Sequence, residues 1–443
     1  MQPGILLTDL YELTMLQAYF EQRMNGLAVF ELFVRRLPPG RHFLMAAGLA
    51  QVVEYLADLR FSPEEIDWLR HSKRFTAPFC DSLASLRFTG DVEAMREGSL
   101  AFADEPLLRI VAPLREAQLV ESRVMNLMHY ETLIASKAAR CALAAPRRLL
   151  VDFGLRRSHG AEAGLLSARA SYIAGFSGTA TLEAGRLFGI PVYGTMAHSY
   201  VQAHADESEA FACFARSQPD NAMLLIDTYD TERAAGKVVA LARQLAPEGI
   251  RIKGVRIDSG DLAEHARRVR AILDAGGLAN VTIFASGNLD EYRLRDLLAQ
   301  GAPIDGFGVG TRMNTSADAP YLDCAYKLQE YEGKPRRKRS EGKATWPGRK
   351  QVYRRSGADG RIAGDLLTLA AEAGSGTPLL SPIMHGGRLV HALPSLDEVR
   401  RYAQEQLARL PEPLTSLDDA APYPVEIAPA LRSLAAEIDA RSR

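Results

Sequence analysis

The stretch from residue 149 to 310 constrains the fold more than any other part of this 443-residue chain. Short apolar runs, LLVDF (149–153), IPVYG (190–194), MLLID (223–227), IKGVRID (252–258), VTIFAS (281–286) and IDGFGVG (304–310), are separated by segments with helical spacing. Strands that alternate with helices need crossover connections, and these build a parallel sheet. The runs close on unusually chemical residues: FGLRRSHG, TMAHS, DTYD, DSGD, SGN and GVGT. In α/β barrels ligands sit at the carboxyl ends of the strands. An open doubly wound sheet binds there too, but it concentrates glycine-rich chemistry at one switch point, whereas here it is spread over every strand end. The expected fold class is therefore α/β, with an irregular TIM-like α/β barrel.

The flanks read differently. Residues 1–130 mix helix and strand signals without alternation: Leu10 to Phe20 has helical spacing and Ala28 to Val34 reads as a strand. A separate N-terminal α+β domain is expected there. From Leu119 to Ala145 apolar residues recur on a helical period with no Gly or Pro, which predicts a long amphipathic helix able to bridge two domains. The barrel is assigned to 131–330. After Tyr331 a basic segment, EGKPRRKRSEGKATWPGRKQVYRR, leads into a strand-like stretch and a last helix rich in Leu, Ala and Arg, so 331–443 is read as a C-terminal extension.

Charge narrows the function classes. With 53 Lys and Arg against 54 Asp and Glu, the net charge of −1 argues against whole-surface attraction to nucleic acid or anionic membrane. The basic window Lys334 to Arg339 is ordinarily a solvated loop; its sharper readings are phosphate gating or polyanion contact. Four cysteines far apart, with no CxxC pair, suggest neither zinc nor a disulfide framework and fit a reducing cytoplasm. The longest uncharged stretch, Leu187 to Ala205, is broken by Gly, Pro, His and Gln, against a membrane span. The opening MQPGILLTDLYELT carries acids before any long apolar run, unlike a secretory signal, and a cytoplasmic protein is expected.

Several strand-end residues can carry chemistry, each with a plainer reading beside it. Gly306 to Thr311 places small residues after a strand, where backbone N–H groups can approach an anion; it is also compatible with a tight packing turn. Ser286 to Asn288 is a second such end. Asp227 and Asp258 could bind ribose hydroxyls, hold Mg²⁺ through its waters or stabilise positive charge on a sugar, or could simply cap the next helix. Arg256 shares a strand face with Asp258 by period-two alternation, and a charge on an inner face is costly unless it meets a ligand or partner. His198 is either a catalyst or a hydrogen-bonded structural residue. Arg156 and Arg157 suit phosphate or carboxylate through the guanidinium fork, or form surface ion pairs.

Taken in order, LLTDLYELTM (6–15), VDFGLRRSHG (151–160), GFSGTATLEAGRLFGIPVYGTMAHSYV (175–201), LLIDTYDT (224–231), VRIDSGDL (255–262), ASGNLDEY (285–292), GFGVGT (306–311) and KATWPGRKQVYR (343–354) resemble the nicotinate phosphoribosyltransferase family over nearly the whole chain. The resemblance implies an α+β N-terminal domain completed by C-terminal chain, and a barrel similar to that of the decarboxylating quinolinate enzyme. It implies an ATP-hydrolysing carbon–nitrogen ligase of NAD salvage, making nicotinate mononucleotide and pyrophosphate from nicotinate and phosphoribosyl pyrophosphate, with Mg²⁺ and ATP as cofactors. It also implies a homodimer with shared sites, and neither nucleic-acid nor membrane partners.

Residue by residue, the resemblance makes Tyr11 the ring that stacks on the pyridine from across the dimer and Phe153 the ring on the other face. Arg156 reaches ligand near pyridine and phosphate, Arg256 faces the pyridine carbonyl substituent, and Thr195 lies in the nicotinate-contact segment. Asp227 and Asp258 flank the ribose. Ser286, Gly287, Gly308, Gly310 and Thr311 form phosphate-binding turns, and His198 is the histidine transiently phosphorylated by ATP. No direct metal ligand is assigned. Ala180 stands where the similar nicotinamide enzyme has an acid, which favours nicotinate over its amide. The runner-up activity is a quinolinate-type decarboxylating transferase, which would need further cations and no phosphorylatable histidine.

Overall fold

A computed structural model describes residues 4–441, and the chain divides into two compact units. One is Lys137–Pro320; the other runs to Ser136 and resumes at Tyr321. The division falls inside the long helix Glu121–Ala144, close to the helix expected from the sequence, which follows a short helix Leu114–Leu119.

The unit Lys137–Pro320 is built on a parallel sheet in the order Gly178–Thr179, Leu149–Asp152, Gly306–Val309, Thr282–Ser286, Gly254–Ile257, Met223–Leu225. Four of these strands are buried at nearly every position because helices follow them, and those helices are amphipathic. Leu262–Ala275, for example, buries Leu262, Ala266, Val269 and Leu273, which fall on one face at helical spacing. Asp230, Asp261 and Asp290 cap the three helices Thr231–Leu245, Leu262–Ala275 and Glu291–Ala299 by accepting backbone N–H groups of the first turn.

One expected strand is reduced. The run Ile190–Gly194 makes a single parallel bridge, Val192 to Thr179, and the sheet's strand at that edge is Gly178–Thr179. Pro191 removes a ladder donor, and Gly189 adopts φ 70°, so the segment cannot extend its pairing. The architecture of this unit is thus a mixed α/β fold with a parallel sheet.

The other unit centres on the expected strand, observed as Leu27–Val34, which is antiparallel to both Pro106–Pro113 and Cys324–Tyr331 in a seven-stranded sheet. Helix Leu10–Glu21 precedes it, as its spacing predicts. A four-stranded sheet contains Lys350–Ser356 and Ile362–Leu369. Two buried charge pairs tie this unit together: Lys350 Nζ lies 2.6 Å from Glu31, and Arg354 Nη2 lies 2.5 Å from Asp365. In the basic window, Arg337 bonds Asp439 at 2.9 Å and lies over Trp346, which uses part of that charge internally. Among the described residues no helix is long and apolar enough to cross a membrane.

Candidate active site

The strand ends of the parallel sheet bring the acids together. Capping is done by Asp230 and Asp261, three residues beyond Asp227 and Asp258, so neither of the latter is spent on a helix. Asp227 Oδ2 accepts from the Asp258 backbone N–H at 2.9 Å and from Ser259 Oγ at 2.6 Å. Its Oδ1 is buried with no hydrogen-bond partner. Asp258 Oδ1 accepts from Ser286 Oγ at 2.5 Å. Its other oxygen and Asp227 Oδ1 each lie 4.0 Å from His198 Nε2.

His198 opens the short helix His198–Gln202. Its Nδ1 lies 3.1 Å from Thr228 Oγ1, which leaves Nε2 aimed at the two carboxylates. Thr228 was not singled out by the sequence; its only signal is its place beside Asp227 at a strand end.

Arg256 is the third residue of the four-residue strand Gly254–Ile257, and Asp258 is the first residue beyond it. It donates from Nη2 to the Met196 carbonyl at 3.0 Å, while its Nε is buried without a partner. Burial lowers its pKa, Asp258 and Asp227 oppose that, and the like charge of Arg156 adds to it. The Arg256 guanidinium lies 5.9 Å from the centre of the Phe153 ring. That ring in turn packs against Phe284, with centroids 5.7 Å apart, and against Gly308, where a Cβ would lie 2.6 Å from it. Thr195 turns its hydroxyl to the Met196 carbonyl at 3.2 Å, beside the Arg256 contact.

The two small-residue turns are neighbours because Ser286 and Gly308 are paired residues of adjacent parallel strands. Gly287 has φ 98°, and a side chain there would collide with the Asp258 carbonyl oxygen. Gly310 precedes the four-residue helix Thr311–Asn314. Arg157 reaches Thr311 Oγ1 at 3.4 Å, and Arg312 bonds Asp290 at 2.6 Å, which ties one turn to the helix that follows the other.

Thus Phe153, Arg156, Thr195, His198, Asp227, Arg256, Asp258, Ser286, Gly287, Gly308, Gly310 and Thr311 all lie in the unit Lys137–Pro320. Tyr11 does not: it belongs to the other unit, where the residue is 45% exposed. It lines a surface pocket there with Asp9, Glu121, Ser122, Asn126 and His129. Burial and the nearby Glu121 and Glu12 raise its hydroxyl pKa. Burial also pushes the Glu12 carboxyl up to about 7, although Gln118 donates to it at 2.9 Å. The sequence also missed Asp152, a wholly buried acid that ends a strand and accepts from Gly154 N and Thr179 Oγ1.

Three family models match the chain in order: the nicotinate phosphoribosyltransferase (NAPRTase) N-terminal domain at residues 6–129, the NAPRTase family at 149–342, and the nicotinate phosphoribosyltransferase C-terminal domain at 373–435. The chain belongs to the nicotinate phosphoribosyltransferase family. A nicotinate phosphoribosyltransferase of Mycobacterium tuberculosis is 51% identical, over 96% of this chain and 91% of that protein. One of Bacillus subtilis is 36% identical, over 95% and 92%. The crystal structure of human nicotinic acid phosphoribosyltransferase superposes with a TM-score of 0.88 at 31% identity, over 98% of this chain and 100% of that one. Within the nicotinate phosphoribosyltransferase family, then, the likeness runs through both units.

Proposed function

We propose that this chain joins nicotinate to phosphoribosyl pyrophosphate, giving nicotinate mononucleotide and pyrophosphate in NAD salvage, and couples the step to ATP hydrolysis. The observation that carries the reading is the convergence of three unspent groups: the unpartnered Arg256 Nε beside the Phe153 ring, the unpartnered Asp227 Oδ1, and His198 Nε2 at 4.0 Å from two carboxylates.

The pyridine ring lies on Phe153 with its carboxylate on Arg256, and Arg156 strengthens the cationic end. The ring nitrogen attacks C1 of the ribose, the C1–O bond to pyrophosphate breaks, and its electrons leave with pyrophosphate. Asp227 and Asp258 stabilise the oxocarbenium-like charge at C1. N–H groups of Ser286, Gly287, Gly308, Gly310 and Thr311 hold phosphate, and Thr195 keeps the Met196 carbonyl in place beside Arg256. Among the described residues no group of three or more His, Cys, Asp or Glu could hold a metal ion. Mg²⁺ nevertheless suits the site, because it binds through one or two carboxylates together with substrate phosphates, and Asp227 Oδ1 has no hydrogen-bond partner. When bound it neutralises the leaving pyrophosphate. His198 Nε2 accepts the terminal phosphoryl group of ATP with departure of ADP, and hydrolysis of that phosphohistidine returns the imidazole. A phosphate beside two carboxylates changes the charge of the site, and so its affinity for anionic ligands.

The same reading takes the parallel sheet as the wall of an irregular TIM-like barrel. In support, Asn221 Nδ2 donates to the Gly194 carbonyl at 2.8 Å, linking the chain before Met223–Leu225 to the chain beyond the Val192 bridge. Residues 1–130 form the N-terminal α+β domain, 131–330 the transferase barrel, and 331–443 an extension that belongs with the first; the antiparallel pairing of Leu380–His385 with Asp91–Met95 supports the last of these, and strand Cys324–Tyr331, inside the barrel bounds but for its last residue, pairs with Leu27–Val34 of the first domain as well. The working form is a cytoplasmic homodimer in which Tyr11 of the partner subunit covers the second face of the pyridine. Exposure of Leu7, Leu10 and Tyr11 on one unit, and of Leu182, Leu187, Val192 and Tyr193 on the other, supports a covered surface.

The test is a chromatographic assay for nicotinate mononucleotide with nicotinate, phosphoribosyl pyrophosphate and Mg²⁺, with and without ATP. Mononucleotide whose yield rises with ATP is expected. Consumption of quinolinate with release of CO₂, and none of nicotinate, would overturn the reading.

A further inference from the structure

Asp152 is an expensive residue to place where it is. It ends the strand Leu149–Asp152, whose preceding residues are Leu149, Leu150 and Val151, and it is 0% exposed. A buried carboxylate without a cationic partner destabilises a fold unless neutral donors satisfy it, and a fourth apolar residue would finish the strand at lower cost. The donors are neutral and come from three segments. Gly154 N donates to Oδ1 at 2.8 Å, Thr179 Oγ1 donates to Oδ2 at 2.9 Å, and the Asn314 side chain adds a third hydrogen bond. Burial still holds the carboxyl up at about 6.

Each donor belongs to a segment that carries a site residue. Gly154 lies in the turn between Phe153 and Arg156. Thr179 precedes Ala180, whose N–H donates to the Asp152 carbonyl at 2.8 Å. Asn314 closes the helix that follows the Gly308–Thr311 turn, and its Nδ2 donates to Ser158 Oγ at 3.1 Å, at the far end of the Phe153 turn. Asn314 packs so close to Gly154 that a Cβ there would overlap its amide, so the turn and the helix are fitted to each other through this cluster.

We propose that Asp152 is the positioning residue of the pyridine slot: by accepting from Gly154 N and Thr179 Oγ1 together, its carboxylate fixes the turn bearing Phe153 and Arg156 against the strand end bearing Ala180. The proposal rests on the reading that nicotinate lies on Phe153. Asp152 touches no substrate; it acts through the backbone on either side of it.

The experiment compares steady-state KM for nicotinate and for phosphoribosyl pyrophosphate in Asp152→Asn, Thr179→Val, Thr179→Ser and Phe153→Ala, with the melting temperature of each. Asp152→Asn and Thr179→Val each replace or delete one side of a charge-assisted hydrogen bond, and each should raise the nicotinate KM by about 10-fold while the phosphoribosyl pyrophosphate KM stays within about twofold. Thr179→Ser keeps the hydroxyl and should restore a near-parental KM. Should Asp152→Asn fail to fold, the two Thr179 variants carry the test alone. Equal rises in both KM values, or an unmoved nicotinate KM in folded Thr179→Val, would overturn the positioning role if Phe153→Ala has raised that KM. An unmoved nicotinate KM in Phe153→Ala removes the slot itself, and the role of Asp152 with it.

Discussion

Substitution of Gly287 by alanine separates the geometry of the phosphate turn from ordinary loop strain. Gly287 has φ 98°, and a Cβ built on it falls well inside 3.0 Å of the Asp258 carbonyl oxygen and 3.6 Å from Asp258 Oδ1. Carbon and oxygen atoms settle at about 3.3 Å, so either the turn or the end of strand Gly254–Ile257 must give by about 1 Å. Both carry proposed site groups, since Ser286 Oγ holds Asp258 at 2.5 Å and Asp227 holds the Asp258 N–H at 2.9 Å. A misplacement of about 1 Å costs on the order of 10²-fold in rate.

Gly301 supplies the control. Its φ is 65°, yet nothing lies within 4 Å of a Cβ there. Gly301→Ala therefore carries only the left-handed penalty of about 1–2 kcal/mol, partly offset by about 0.4–1 kcal/mol from a less flexible unfolded chain. A net loss of about 1 kcal/mol lowers the melting temperature of a unit this size by roughly 2–4 °C. Purified Gly287→Ala and Gly301→Ala are compared for melting temperature and for kcat/KM toward phosphoribosyl pyrophosphate. Gly301→Ala should keep activity within about twofold, and Gly287→Ala should lose about 10²-fold. Gly287→Ala with activity within about threefold of the parent would refute the claim that the close approach to Asp258 shapes the site.

His198→Ala should retain some transferase activity but lose ATP stimulation and acid-labile phosphate; undiminished labelling from γ-labelled ATP would remove His198 from that role. Tyr11→Ala should raise the nicotinate KM, and mixing it with Arg256→Ala should regenerate activity in verified heterodimers by segregating both defects into one site; no recovery would refute the shared site. Ala180→Asp should lower the ratio of specificity constants for nicotinate over nicotinamide, because two like charges about 4 Å apart at an effective dielectric near 20 repel by on the order of 4 kcal/mol; an unchanged ratio would show that position 180 does not face the pyridine substituent. Glu12 has a folded pKa of about 7 against an ordinary 4.5, so it favours folding below the lower value and that contribution is lost as pH rises through the higher one. Thermal melts should therefore show Glu12→Gln gaining on the parent between about pH 5 and about pH 8, and a constant difference would show that Glu12 does not titrate there.

The strand ends were legible because parallel strands put their chemistry in one place, and DTYD and DSGD illustrate how far that goes. Both contain two acids three residues apart, and the sequence alone leaves open which one caps the helix. The structure gives the second of each pair, Asp230 and Asp261, to the cap, because the cap must stand one residue before the helix; the first of each is left to the site. The run at 190–194 was over-read as a strand because its apolar residues outweighed Pro191, which limits the ladder to the bridge at Val192. Thr228 and Asp152 were invisible for a different reason. Their partners, His198, Thr179 and Asn314, are distant in sequence and meet them only once the strand order is known.

That strand order also explains why opposite charges can share one small site without cancelling. Arg256 and Asp258 are two residues apart at the end of one strand, a separation of about 6.6 Å for extended chain. On the proposed reading the guanidinium takes the substrate carboxylate, while the acids face the carbon that becomes positive as its bond to pyrophosphate breaks. The acids also act on the arginine: burial pulls its pKa down, and Asp258 and Asp227 push it back up, so the guanidinium stays charged in a poorly hydrated place. Phosphate on His198 would lie on the acid side of this division. It would therefore oppose Asp227 and Asp258, whose carboxylates lie 4.0 Å from the imidazole. On the proposed reading, energy from ATP would then act through the charge balance around Asp227 and Asp258.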